Sequence, residues 1–361
     1  MSDFFEIDFL PVGNSKSGDA ITMRYEIDGV RQIHVVDGGY QETGPSVVEH
    51  IEKFYDSPTA IDHVVVTHPD GDHAGGLRVV LESFDVGLLW MNRPWLYADE
   101  LIDRFSRFSS VESLEMRLRE LYPSISALEK IAIERGIEIR EAFQGSRIGK
   151  FVIMSPSRER YFELILGSDK TPESVREESL YSAPSGLLES VLRKVTEFVF
   201  ARWGSENFSD QDTSAENEMS IVQFAELCSK KVLLTGDAGR VALSDSATFA
   251  PYVGLELPGI DRMQIPHHGS RRNVSTELLD HWLGEKLATK PVEGEETFTA
   301  IVSAAKDDDD HPRRAVLRGF IHRGAAIKKT KGQTLRISRN APKRDGWSAA
   351  QSMKYPEDQE A

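Results

Sequence analysis

The chain has a single cysteine, Cys228, among its 361 residues. One cysteine cannot form an internal disulfide, and it excludes a cluster of thiolates as a metal site. Runs of 18 or more apolar residues are also lacking, so we expect no membrane-spanning helix. The amino terminus shows no basic segment followed by an apolar run, so we expect no secretory signal peptide. These absences predict a cytoplasmic protein that does not bind membranes.

Net positive charge is lacking too, because the chain carries a formal net charge of −15 at pH 7. A protein that coats nucleic acid needs Lys and Arg to neutralise phosphates, so this charge argues against such a role. The basic residues are unevenly distributed, however. Residues 311–344 contain 11 Lys or Arg and no Asp or Glu. A local basic surface on an acidic protein would still allow a polyanionic substrate.

The length of the chain suffices for one large α/β domain with insertions or for two smaller domains. Short β-rich segments separated by turns open the chain, and strands and helices resume after its middle. We predict one domain over residues 1–340, with helical insertions at about 97–136 and 157–204, where apolar residues recur every three to four positions. These insertions would form a cap over a site, or a helical layer without a role in function. Residues 341–361 are polar and contain two prolines, which predicts a disordered tail.

The segment 68–73, with the sequence HPDGDH, follows an apolar strand predicted over residues 62–66. Four potential metal ligands lie within these six residues: His68, Asp70, Asp72 and His73. Pro69 and Gly71 disfavour regular structure, so we expect a sharp turn that directs several of the four side chains to one space. Imidazole and carboxylate together suit Zn²⁺, Mn²⁺ or Fe²⁺.

Two later segments end predicted strands with further ligand types. The strand in KKVLLTGD ends at Asp237, whose carboxylate could bridge two cations. The segment IPHHGS presents two adjacent histidines. We take His268 as the ligand because it directly precedes Gly269, while His267 would support the site or exchange roles with His268.

The patterns HxDxDH, LLTGD and HHGS, taken in this order, resemble the metallo-β-lactamase superfamily. Within it they are most similar to the hydrolase domain of ComEC-type competence proteins, which have Asp at the position of Asp70 where most members have a second His. The resemblance also includes segments 12–21, 35–39, 217–222 and 330–337 and the His311-Pro312 pair, so it covers nearly all of the chain outside the insertions and the tail. The membrane channel of the competence proteins has no counterpart here, so DNA uptake is not implied.

The resemblance implies a four-layer αββα sandwich with two divalent metal ions, Zn²⁺ or Mn²⁺, at one edge. By the family pattern, one ion is held by His68 and Asp70 and the other by Asp72, His73 and His268, with Asp237 between the two. Asp37 would orient the ligand loop by hydrogen bonding. The superfamily's further His ligand has no counterpart in segment 216–220, where Asn217 is the one candidate substitute. This departure leaves the occupancy of the first metal position open.

The chemistry implied by such a site is hydrolysis by metal-bound hydroxide, because paired divalent ions lower the pKa of bound water. Asp72 would also orient the hydroxide. His311 is the candidate proton donor to the leaving group, since a free imidazole titrates near neutrality. The alternative role for His311 is to cap the helix predicted to begin at Pro312.

We expect the substrate to be a phosphodiester of DNA or RNA. Five residues follow the HHG and HP motifs and could contact phosphate: Ser270, Arg271, Arg272, Arg313 and Arg314. One alternative is a hydrolase of small molecules such as a cyclic nucleotide, a lactone or a thioester. Another is a catalytically weak regulatory subunit, in which the helical insertions bind a partner protein or a second copy of the chain.

Overall fold

The computed structural model describes residues 3–105, 108–171 and 197–361. The strands of this part of the chain are β1 (Phe4–Phe9), β2 (Ala20–Ile27), β3 (Val30–Gly38), β4 (Ala60–Val65), β5 (Asp85–Trp90), β6 (Glu138–Arg140), β7 (Arg147–Ile148), β8 (Phe151–Ser155), β9 (Phe198–Phe200), β10 (Val222–Leu227), β11 (Lys230–Leu234), β12 (Arg262–Gln264), β13 (Phe298–Val302), β14 (Ala325–Lys329), β15 (Leu335–Arg339) and β16 (Asp358–Glu360). The α-helices are α1 (Gly44–Phe54), α2 (Gly71–Ala74), α3 (Leu77–Ser83), α4 (Ala98–Leu101), α5 (Val111–Leu121), α6 (Pro123–Arg135), α7 (Arg158–Gly167), α8 (Ala215–Glu218), α9 (Arg240–Phe249), α10 (Thr276–Leu283) and α11 (Arg314–His322). Short 3₁₀ helices cover Gln41–Thr43, Pro94–Tyr97, Ile102–Arg104, Ala250–Val253 and Pro266–Gly269.

Two large mixed sheets organise the described residues. The first has the strand order β15-β1-β2-β3-β4-β5-β6, and the second has the order β14-β13-β12-β11-β10-β8-β7. In the first sheet the strands from β3 to β6 run parallel, and in the second those from β11 to β14 do. The remaining pairs in both sheets are antiparallel.

Three apolar clusters separate the layers of the fold. One lies between the sheets and contains Phe5 and Ile7 of the first sheet and Phe151 and Ile301 of the second. Another packs α1, α3, α5, α6 and α7 against the outer face of the first sheet. A third packs α9, α10 and α11 against the second sheet. The predicted four-layer αββα arrangement is confirmed.

The insertions differ in how far the structure describes them. Residues 97–136 contain helices α4, α5 and α6, as the apolar periodicity predicted. Within 157–204 the described helix is α7, and the end of this stretch is a strand, β9, where we had predicted a helix. The predicted helical segment at 172–196 lies outside the described residues. The single-domain division of the chain stays a prediction.

The carboxyl-terminal residues 341–361 contact both sheets. Trp347 packs edge-on against Phe54, and β16 pairs with β9. The Glu360 carboxylate accepts hydrogen bonds from the backbone N–H groups of Arg314 and Ala315 at 2.8 and 3.0 Å, so it caps the start of α11. We predicted a disordered tail, and these contacts were not anticipated. The partners of residues 341–361 lie in distant segments of the chain, so no local pattern indicates them.

The basic residues of 311–344 are largely engaged in such packing. Arg318 is fully buried and donates to backbone carbonyls, including those of Ala201 and Pro356. Arg344 pairs with Glu6 and Asp8 beneath the first sheet. Part of the positive charge clustered in the sequence is therefore used in internal contacts. In the described residues no helix has the length and apolarity needed to cross a membrane.

Candidate metal centre

The carboxyl ends of parallel strands bring the candidate ligands to one edge of the two sheets. The chain leaves β4 three residues before His68, and it leaves β11 three residues before Asp237. The Pro266–Gly269 turn follows β12 in the same way. Because β2 runs antiparallel to β3 and Ala20 pairs with Gly38, the residue before β2, Asp19, is delivered to this edge too. Such an edge is the usual place for a site in an open α/β sheet.

Four imidazoles direct their Nε2 atoms at a single carboxylate, that of Asp237. The Nε2 atoms of His73 and His268 lie 3.3 and 3.7 Å from Asp237 Oδ1. The Nε2 atoms of His68 and His267 lie 4.0 and 3.6 Å from Asp237 Oδ2. The structure thus brings together side chains from three separate loops, as the sequence predicted.

Asp37 orients two of these imidazoles from behind. Its Oδ2 accepts a hydrogen bond from His73 Nδ1 at 2.7 Å and another from the Thr67 hydroxyl at 2.6 Å. Since the Thr67 hydroxyl proton is used in this way, its oxygen accepts from His68 Nδ1 at 3.0 Å. The Nε2 atoms of His68 and His73 are therefore left with free lone pairs. This supporting role for Asp37 is the one the resemblance implied.

The other two imidazoles are held in the same tautomer. His268 Nδ1 donates to the backbone carbonyl of Ser303 at 3.0 Å. His267 Nδ1 lies 3.0 Å from Asn273 Oδ1. A metal-binding histidine almost always donates its second ring N–H to such an acceptor, which leaves the other nitrogen free to coordinate.

The atoms that face the centre lack other partners. Five of them are buried and have no hydrogen-bond partner among the described residues: Asp19 Oδ1, His68 Nε2, His73 Nε2, Asp237 Oδ1 and His268 Nε2. Ligand atoms of Asp19, His73, Asp237 and His268 all lie within 4.8 Å of one another. Burying unpaired polar atoms is costly unless a cation completes them. Imidazole and carboxylate donors at this spacing fit a divalent metal ion.

The electrostatics of the cluster suit a cation as well. Burial lowers the pKa of His268 to about 3 and also lowers the pKa of His68, so both imidazoles are neutral near pH 7. Burial alone would raise the pKa of Asp237, but His73, His267 and His268 hold it well below its usual range. Burial disfavours a charged His73, yet Asp237 and Asp37 raise its pKa well above the ordinary value. The same negative charge that favours a second proton on His73 favours a cation beside its Nε2 atom.

The two aspartates of the HPDGDH turn are placed differently from each other. Asp70 Oδ2 lies 3.9 Å from His68 Nε2, while Asp70 Oδ1 pairs with Lys170 Nζ at 2.7 Å. Asp72 lies outside the set of mutually close ligand atoms. Its carboxylate makes no hydrogen bond or ion pair with any residue that the structure describes. The assignment of Asp72 as a ligand and as an orienting group stays a prediction.

Asp19 is the cluster member that sequence reasoning missed. Its Oδ2 accepts a hydrogen bond from Gln264 Nε2 at 2.9 Å, which leaves Oδ1 free to face the centre. Burial raises the pKa of Asp19 to about 7, and the nearby Asp237 adds to the rise. The available signal was the Gly-Asp-Ala sequence at the end of segment 12–21, which carries a carboxylate directly before a strand.

His311 lies beside the cluster. Its ring centroid is 6.0 Å from that of His267 and 6.3 Å from that of His268. Gly269 makes this approach possible, because a Cβ there would lie 2.5 Å from Pro312 Cβ and the backbone has φ +87°. Asp308 Oδ2 lies 3.4 Å from His311 Nδ1. The imidazole is therefore oriented next to the centre as well as preceding a helix.

Asn217 and the five residues proposed to contact phosphate differ in their hydrogen-bond partners. The Asn217 amide group lies 2.7 Å from Thr213 Oγ1 and 3.1 Å from His267 Nδ1, so it contacts the candidate ligand. Ser270 Oγ accepts from the backbone N–H of Arg272 at 3.3 Å. The four arginines have different partners. Arg272 donates to Gln211, Arg313 to Asp310 and Arg314 to Asp358, whereas Arg271 Nε is buried without a partner among the described residues.

The hydrogen bonds of Asp37 lead to a prediction about metal affinity. Changing Asp37 to Asn keeps the size of the side chain but removes its charge and one of the two acceptor oxygens that orient His73 directly and His68 through Thr67. We expect affinity for a divalent ion to fall about 10- to 100-fold, the usual effect of losing such a partner. Competition with a metal-binding dye would measure this change. An unchanged affinity would show that Asp37 does not orient the ligands.

The chain is similar to known proteins in part of its sequence and in its structure. Residues 27–136 match the sequence model of the metallo-beta-lactamase superfamily. No curated protein sequence matches the chain. Among solved structures, the metallo-beta-lactamase fold protein YhfI from Bacillus subtilis is 9% identical, with a TM-score of 0.42 over 93% of this chain and 100% of that one.

Two further structures are similar at the same low level. Rm3 metallo-beta-lactamase is 12% identical, with a TM-score of 0.32 over 71% of this chain and 76% of that one. A mutant of CmlA beta-hydroxylase is 13% identical, with a TM-score of 0.39 over 94% of this chain and 54% of that one. The matched sequence segment, residues 27–136, contains the HPDGDH turn, and over this segment the chain is similar to the metallo-β-lactamase superfamily.

Proposed function

We propose that this protein is a metal-dependent hydrolase that cleaves phosphodiester bonds of DNA or RNA. The observation that carries the proposal is the convergence of four histidine Nε2 atoms on the Asp237 carboxylate. When bound at such a site, divalent ions lower the pKa of water and stabilise negative charge on the attacked and departing oxygens. The chain's own residues have to hold the ions, place the substrate and supply a proton.

His311 is the proposed proton donor to the leaving group. It lies at the rim of the cluster, about a quarter exposed, so a substrate can reach it. Asp308 accepts hydrogen bonds from Ser17 Oγ at 2.5 Å and from the His311 backbone N–H at 3.0 Å. These bonds hold the Asp308 carboxylate against His311 Nδ1 and leave Nε2 free to act. A positioned imidazole of this kind typically contributes 10²- to 10⁴-fold to rate, as an order of magnitude.

Two arginines support a phosphate-containing substrate. Arg271 directly follows the HHGS turn, and its buried Nε lacks a partner among the described residues. Arg313 pairs with Asp310, which is 70% exposed. An exposed ion pair contributes little to stability, so Arg313 can exchange Asp310 for a phosphate at small cost. Arg272 and Arg314 are engaged elsewhere and are weaker candidates.

A small-molecule hydrolase is the second candidate. The observation in its favour is the ion pair between Lys170 and Asp70, which brings the second insertion to the mouth of the centre. An insertion at this position would restrict access and favour a compact substrate. The overall charge of −15 points the same way, because it repels long polyanions.

A cleavage panel distinguishes these candidates. Purified protein with Mn²⁺ or Zn²⁺ is to be incubated with single- and double-stranded DNA, with RNA, with a chromogenic diester and with a lactone. We expect DNA or RNA to be cut, and we expect His73→Ala and Asp72→Ala to lower the rate by at least about 10³-fold, near 4 kcal/mol of barrier. His281→Ala, at an exposed histidine on α10, should leave the rate unchanged.

Each outcome of the panel has one meaning. Turnover of the diester or lactone with intact nucleic acid would replace the nuclease proposal by the small-molecule one. No turnover of any substrate with any divalent ion would contradict both and favour a regulatory subunit. Full activity in the His73 variant would contradict the metal centre as the catalytic site.

A further inference from the structure

We propose that His267 is a metal ligand on the His68 side of Asp237, where the superfamily pattern lacks a histidine in this chain. The sequence pattern leaves His267 as a supporting residue or as one that exchanges roles with His268. The proposal deepens the metal-dependent function proposed above and rests on it. It supplies a donor for the metal position whose occupancy the sequence left open.

The two oxygens of Asp237 divide the four imidazoles into two pairs. Oδ1 faces His73 and His268, and Oδ2 faces His68 and His267. Each pair has one further carboxylate near it. Asp19 is close to the first pair, and Asp70 Oδ2 lies 3.9 Å from His68 in the second. The first set, with Asp19, has its ligand atoms all within 4.8 Å of one another. In the second set, His68 Nε2 and His267 Nε2 both face Asp237 Oδ2, and with Asp70 they supply the N and O donors that suit a divalent transition-metal ion.

The hydrogen bonds of Asn273 determine which nitrogen of His267 is free. Asn273 Nδ2 donates to the backbone carbonyls of Asp237 and Ala238 at 2.8 and 3.2 Å. Because carbonyls can only accept, the Asn273 amide is oriented with Oδ1 towards His267 Nδ1. With Nδ1 protonated in this way, the Asn217 amide 3.1 Å away presents its oxygen to Nδ1, and Nε2 presents a lone pair to Asp237 Oδ2 at 3.6 Å. Two acceptors that face each other at this distance call for a cation between them.

A supporting role does not account for these contacts. A supporting residue donates a hydrogen bond to a ligand, but the polar partners of His267 in the described part of the chain are Asn217, Asn273 and Asp237. The distance to Asp237 is too long for a hydrogen bond. His267 thus has the same arrangement as the three buried histidines: an oriented Nδ1 and an Nε2 directed at Asp237.

The backbone at the two histidines is strained in a way that fits this role. His267 has φ 47° and ψ 52°, and His268 has φ 54°, so both lie in the left-handed region. Residues in this region are energetically costly and persist where a site requires them. The consecutive left-handed residues direct both rings to the same carboxylate, with centroids 5.7 Å apart. His267 is 27% exposed, so the position it completes is the one open to substrate.

Metal stoichiometry tests the proposal independently of activity. His267→Asn suits the experiment because Asn tolerates the left-handed backbone and is too short to reach the same point. Wild-type protein and the variant are to be dialysed against Zn²⁺ and against Mn²⁺, and bound metal measured by mass spectrometry. We expect two ions per chain in the wild type. In His267→Asn, one ion should stay tightly bound and affinity for the other should fall about 100-fold or more.

The controls separate a ligand from a merely structural residue. His68→Asn should lose the same ion, and the double variant should lose no more than either single one. His281→Asn should bind two ions like the wild type. His267→Gln provides a second variant if the first fails to fold, as judged by circular dichroism. With Co²⁺, the absorption spectrum of the His267 variants should lose the contribution of one ion.

Two results would overturn the proposal. One is His267→Asn protein that binds two ions with wild-type affinity. The other is wild-type protein that binds a single ion whose affinity His267→Asn leaves unchanged. Failure of the proposed function is a separate result, because protein that binds two ions in this manner and cuts no substrate would retain His267 as a ligand.

Discussion

Replacing Asp237 with asparagine is expected to abolish metal binding at both positions and to lower hydrolysis by at least about 10³-fold, or 4 kcal/mol of barrier. The reason is that this carboxylate is the one group that all four imidazoles share. An amide has the same shape but carries no charge and offers one acceptor oxygen. The neutral side chain would leave His73, whose pKa Asp237 raises, without its main partner.

Metal content and initial rates of cleavage would be measured on the same preparations. Asp245→Asn is the matched control, because Asp245 forms a partly exposed ion pair with Arg160 outside the cluster. It should change neither quantity. If Asp237→Asn retained two ions, or retained the wild-type rate, the site would have to lie elsewhere in the molecule.

Replacing Glu206 with alanine is expected to lower the free energy of unfolding by about 3–5 kcal/mol, the usual cost of breaking a buried ion network. Glu206 is fully buried and accepts hydrogen bonds from His322 Nδ1 and Arg323 at 2.8 Å. It also accepts a hydrogen bond from Thr276 Oγ1 at 2.8 Å and forms an ion pair with Lys286. Its loss leaves the buried Arg323 guanidinium with one carboxylate partner, that of Asp280. Denaturant unfolding measures the change.

The same residue gives stability a pH dependence. Burial alone would raise the pKa of Glu206, but hydrogen bonds from His322 and Arg323 lower it from 4.5 to about 2. A depressed folded-state pKa contributes stability that is present above pH 4.5 and is lost as pH falls towards 2. Glu206→Ala should therefore lose less stability than the wild type over this range. Glu163→Ala, at an exposed pair with Arg160, should cost roughly 1 kcal/mol or less. Equal effects of the two variants would contradict the buried network.

The elements that follow local patterns could be predicted from the sequence. The HPDGDH turn holds its ligands within six residues, so one strand end suffices to place His68 and His73. The Gly-Asp end of β11 placed Asp237 for the same reason. The αββα layers were predicted from the resemblance. In the structure, strands and helices alternate on both sides of the insertions.

Other parts of the site depend on register and on distant contacts. Asp19 reaches the centre only because Ala20 pairs with Gly38, and no local pattern gives that register. The choice between His267 and His268 could not be made from their adjacency, since the left-handed backbone at both residues directs both rings inward. The capping role of Glu360 depends on an α11 helix start some 45 residues earlier in the chain.

The most direct test of the metal centre is a crystal structure of Mn²⁺-loaded protein with anomalous diffraction at the manganese edge. We expect anomalous peaks on the two sides of the Asp237 carboxylate, each at coordination distance from histidine Nε2 atoms. A structure without a peak beside Asp237, or with peaks only at other residues, would contradict it.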